Sequence, residues 1–88
     1  MGKASAISAI IEDDGSALPQ ALRTLERRLL DERPALVVVA DASDSALAAV
    51  LVASKLGIPV EAMPPATEAS SVNGPVIAKL SAAYTQPA

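Results

Sequence analysis

Residues 33–59, RPALVVVADASDSALAAVLVASKLGIP, spell a strand, a helix and a second strand in immediate succession. Residues 35–40 are an unbroken apolar run of strand length that ends on Asp41. Ser43 and Asp44 are good helix N-caps, residues 47–56 have helical composition, and Gly57 is placed to stop the helix before Ile58, Pro59 and Val60 resume as strand. Parallel strands need a crossover of this kind, and a parallel sheet wants both faces covered. The expected fold is therefore α/β: a three-layer sandwich of about three βα units on a parallel sheet, a Rossmann-like or flavodoxin-like fragment.

The remaining chain fits the same plan. Residues 4–11, with Ile7, Ile10 and Ile11, read as a first strand, broken by Glu12, Asp13, Asp14 and Gly15. Ser16 is placed to cap a helix in which Leu18, Leu22, Leu25 and Leu29 form one apolar stripe. Arg27 with Asp31 and Arg28 with Glu32 stand four apart on its wet side, and Pro34 ends it. After Val60 the pair Pro64-Pro65 ends any strand, and residues 67–71 read as loop. Asn73, Gly74 and Pro75 signal a last helix, with Val76, Ile77, Leu80, Ala83 and Tyr84 as its buried face. Nothing suggests a linker or a second domain within residues 1–88.

Composition removes whole classes of chemistry. The sequence has neither Cys nor His, so disulfides, thiol nucleophiles, zinc sites and imidazole acid-base catalysis are excluded, and no metal or cofactor is expected. Seven basic against ten acidic residues leave a net charge of −3, which argues against nucleic acid as a partner. No apolar run approaches the ~20 residues of a membrane span, so a cytoplasmic protein with no membrane partner is expected. No glycine-rich phosphate loop or nucleophile elbow is present.

The middle helix raises a different expectation. Apart from Ser45, Ser54 and Lys55, residues 45–56 are apolar all round, and a three-stranded sheet hides one side of a helix. Ala48, Ala49 and Val52 then call for cover from another chain, and homo-oligomerisation through them and a sheet edge is expected. The plain alternative is that alanine is neutral on a surface and needs no cover.

An ordered set of short motifs points to a family. Asp14-Gly15-Ser16-Ala17-Leu18, Glu32-Arg33-Pro34-Ala35, Ala40-Asp41-Ala42, the alanines 48, 49 and 53, and Ile58-Pro59-Val60 occur in that order. Asn73 and Gln86-Pro87 follow. The series resembles the N-terminal domain of the non-hydrolysing UDP-N-acetylglucosamine 2-epimerases, truncated and degenerate. That family has Asp-Gly-x-Ser-Leu, Glu-x-x-Pro-Asp, Gly-Asp-Thr and Ile-Pro-Val in the same order. The resemblance implies a Rossmann-like domain, UDP-sugar as ligand and, if any activity persists, epimerisation with a second subunit. It makes Asp41 the candidate catalytic acid, and it places Asp14, Ser16, Asp41, Ser43 and Met63 at the ligand-binding strand ends. The family's His-Val-Glu-Ala-Gly run falls on residues 62–66, where Ala62 replaces the His and Pro64 the essential Glu. Proline transfers no proton, so the expectation leans toward a non-catalytic domain.

Two further readings of the acids stay open. Asp41, Ser43 or Asp44 can simply cap the middle helix. Alternatively Glu12, Asp13, Asp14 and Asp41 could form a receiver-like pocket for Mg²⁺.

Overall fold

In a computed structural model, the structure describes residues 7–85, with side chains to residue 81. The strands are β1 (Ser8–Ile11), β2 (Leu36–Val39) and β3 (Val60–Ala62), and the helices are α1 (Leu18–Glu32), α2 (Asp44–Leu56), α3 (Pro64–Thr67) and α4 (Asn73–Thr85). The three strands form one parallel sheet in the order β1-β2-β3, with Ser8 opposite Leu36 and Val37 opposite Val60. This is the expected α/β arrangement of βα units. Residues 4–6, Gln86 and Pro87 lie outside the described residues, as do the side chains of Ala83 and Tyr84.

Sequential addition of strands in one direction, each by a right-handed crossover, puts the connecting helices on the same face of the sheet. The packing agrees: α1 lies against α2, α2 against α4, and α4 against β3. Alternate strand residues therefore meet different fates. Ala9, Ile11, Val37, Val39 and Val60 point into the helical layer and are buried. On the opposite face Ile10 is 60 % exposed, Leu36 and Val38 are half-buried, and Glu61 is exposed. Of a three-layer sandwich, these residues supply the sheet and one helical layer.

The place of α2 corrects the interface expected from the sequence. Ala48 and Ala49 have no exposed surface and Val52 is 8 % exposed, because α2 is the central helix of the layer, flanked by α1 and α4 as well as backed by the sheet. Its small residues let those neighbours close in. Ala48, Ala49 and Val52 thus belong to the core of the chain itself and are not available as an oligomer contact.

Helix ends follow local chemistry. Ser43 is the α2 N-cap, its Oγ accepting from the Ala46 N–H at 3.1 Å, and Gly57 closes the helix at φ 76°. The expected cap at Ser16 is not made; the α1 N-cap is Ala17, whose side chain has nothing to offer, and Pro19 sits in the first turn. At its other end Arg33 takes the left-handed conformation, φ 45°, that glycine usually supplies. Of the two charge pairs on α1, Arg28 and Glu32 meet at 3.2 Å. Pro64 and Pro65 end β3 and at once open the short helix α3, which a reading of proline as a breaker passes over.

Candidate functional site

In a parallel sheet all strands end on one rim, the place where α/β proteins bind ligands. That rim carries the residues singled out from the sequence: Asp14 and Ser16 follow β1, Asp41 and Ser43 follow β2, and Met63 follows β3. The rim does bring part of this set into contact. The Asp14 carboxylate accepts from the Ser16 N–H at 2.9 Å and from the Ser45 hydroxyl at 3.1 Å, while the Asp14 N–H donates to Ser45 Oγ at 3.4 Å. Ser45 is buried in the first turn of α2, so it ties the β1–α1 loop to the neighbouring helix.

The second cluster is built around Asp41. Its carboxylate accepts from the Ser43 N–H at 3.0 Å, a local turn that aims Ser43 Oγ at the start of α2. Asp44 is engaged elsewhere: Asn73 donates to Asp44 Oδ1 at 3.0 Å and to the Ala42 carbonyl at 2.9 Å, pinning the start of α4 to the β2–α2 loop. Met63 stands apart and 40 % exposed. Asp13 turns back on the Gly15 N–H at 2.9 Å, at a residue with φ 82°.

These contacts decide what the acids can do. The hydrogen bonds from Ser16, first through its backbone and then its side chain, and from Ser45 hold the Asp14 carboxyl below the usual aspartate range. A carboxylate so stabilised is a poor proton donor near neutrality. The N–H groups of Ser16, Ser43 and Ala46, which could have met a phosphate, already have partners within the chain. Among the described residues no three acidic side chains converge as metal ligands, so the geometry gives the Mg²⁺ pocket no support. The cavity behind Asp14, lined by Ile11, Thr24, Leu25, Arg28 and Ser45 among others, holds about 80 Å³. Ligand pockets run to ~300–1,000 Å³, so a nucleotide sugar does not fit there.

Sequence reasoning missed the role of Ser45. A lone hydroxyl at the start of an otherwise apolar helix was the available signal, since burial of an unpaired hydroxyl is costly. The side chains that share the rim thus form a structural clasp: Asp14 with Ser45, Ser43 with Ala46, and Asn73 with Asp44. No family model, no curated protein and no solved structure matches the chain.

Proposed function

We propose that this chain is a non-catalytic α/β domain that works by associating with a second copy of itself through its sheet. One observation carries the reading. A parallel sheet ordinarily has helices on both faces, and here Ile10, Leu36 and Val38 lie on a face that the helical layer leaves uncovered. With Pro64 where the resembled family has its Glu, and with neither Cys nor His in the sequence, the rim is left to Asp14 and Asp41, which serve as turn acceptors for the Ser16 and Ser43 N–H groups. Sedimentation over the micromolar range tests the proposal. A dimer is expected, and a lone 8.9 kDa species throughout would overturn it. Ile10→Lys puts a charge in the exposed patch and is expected to weaken association while leaving the circular dichroism spectrum unchanged.

A second reading draws on the resemblance to the epimerase N-terminal domain: residual UDP-sugar binding, or one half of a split enzyme. Its support is positional, since Asp14, Asp41 and Met63 follow the three strand ends on one rim. The occupied helix N-termini weigh against it. Calorimetry with UDP and UDP-N-acetylglucosamine is the test: heat of binding that disappears in Asp41→Ala supports this reading, and the absence of heat removes it.

A further inference from the structure

Two packing demands put a reactive pair side by side at the start of α4. Asn73 is the chain's only asparagine, and its Nδ2 donates to the Ala42 carbonyl at 2.9 Å and to Asp44 Oδ1 at 3.0 Å. Gly74 is required next to it, because a β-carbon there would strike the Ala69 carbonyl. An asparagine followed by glycine is the pair most given to intramolecular imide closure, since no side chain shields the glycine nitrogen and its backbone adapts to the ring. We propose that Asn73-Gly74 is a self-modification site: the Asn73 side chain closes on the Gly74 nitrogen as a succinimide when the start of α4 opens, and hydrolysis of the ring keeps the clasp from re-forming.

The step needs only water. The Gly74 N–H gives its proton to solvent, and the nitrogen attacks Asn73 Cγ. A C–N bond forms, the Cγ–Nδ2 bond breaks, and the amide leaves as ammonia with a proton taken from water. Water then opens the five-membered ring at one of its two carbonyls. Opening at Cγ leaves an aspartyl side chain, and opening at the main-chain carbonyl leaves an isoaspartyl linkage that lengthens the main chain by one carbon. Nothing is oxidised or reduced, and either product carries a carboxylate.

In the folded chain each reacting group is held. The Asn73 amide has two acceptors in and beside the β2–α2 loop, and the Gly74 N–H, at a buried residue, donates to the Ser71 carbonyl at 3.3 Å. Asn73 is also the first residue of α4, and helical backbone angles keep its side chain from reaching the next nitrogen. Closure therefore waits on local opening of this end of the helix. After hydrolysis an acceptor stands where a donor stood. The new carboxylate faces Asp44 and the Ala42 carbonyl, and the like charges repel. That unties α4, the helix that covers one flank of α2, from the β2–α2 loop. The change runs one way.

Peptide mass mapping of the full chain follows the amide-to-acid mass gain at position 73. In mildly alkaline buffer it is expected to accumulate about tenfold or more slowly than in denaturing urea at the same pH, where the clasp is gone. Asp44→Ala removes one acceptor and is expected to speed the reaction in buffer by more than its loss of global stability, read from urea unfolding, accounts for. Asn73→Asp reproduces one product, and in it hydrogen exchange is expected to quicken across α4 while α1 is unchanged. No mass gain in urea would overturn the reactivity, and equal rates in buffer and urea would overturn the latch. An Asp44→Ala rate explained wholly by lost stability would show that the clasp does not hold the site closed. Should that variant not fold, the comparison of buffer with urea on the unaltered chain decides. Unaltered exchange in Asn73→Asp overturns the release of α4.

Discussion

Asp14 shows how one side chain can look like a site and act as a fastener. Its carboxylate bridges its own turn, through Ser16, and a helix 31 residues away, through Ser45. Those bonds favour the charged form and lower the carboxyl's pKa relative to the unfolded chain. The stability it contributes is therefore complete above the ordinary aspartate range and is lost as pH falls through the lowered value. Asp14→Asn is expected to flatten that part of the acid unfolding curve, read by circular dichroism between neutral pH and strongly acid solution. An unchanged acid limb would show that the clasp with Ser45 is not linked to folding. Gly74 is a second residue whose identity is set by space. A β-carbon there would run into the Ala69 carbonyl, which belongs to the backbone and cannot swing aside. Gly74→Ala is expected to lower the urea midpoint by the equivalent of about 1–3 kcal/mol.

At the scale of elements, the unit spanning β2, α2 and β3 was legible because each boundary has a local cause. Ser43 caps, Gly57 takes positive φ, and the branched run 37–39 suits a strand. The α1 stripe was legible in part: Leu25 and Leu29 are buried and Leu18 and Leu22 half-buried, while Ala21, which the stripe left out, is buried as well. What local pattern could not convey was neighbourhood. An all-apolar helix announces that it is covered, but whether by another chain or by α1 and α4 depends on where distant segments return. The same limit hid the site: Asp14 and Ser45, or Asp44 and Asn73, meet only once the strands align on one rim. The two accounts of α2 differ in a measurable way. If Ala48 lay at an interface, Ala48→Leu would alter the dimer; buried in the middle of the helical layer, it is overpacked instead. Ala48→Leu is expected to cost about 1–3 kcal/mol in chemical unfolding. Its dissociation constant should stay unchanged under conditions where the protein remains folded.

For the whole molecule, association and stability are one equilibrium. Eighty-eight residues bury a thin core, here built almost wholly from Ala, Val, Leu and Ile. The face around Ile10, which the helical layer leaves uncovered among the described residues, adds little to the stability of an isolated copy. A partner that binds only the folded form shifts unfolding by mass action, so a self-associating domain must melt at a temperature that depends on its own concentration. In a dimer that unfolds to two chains, a tenfold rise in concentration adds about 0.7 kcal/mol per copy, half the tenfold free-energy increment. For a domain of this size that raises the melting temperature by about 3–5 °C. Calorimetric scans at two concentrations, both well above the dissociation constant, measure it directly. Equal melting temperatures would mean that each copy folds on its own account, and the sheet's bare face would then need no partner to explain the stability of the fold.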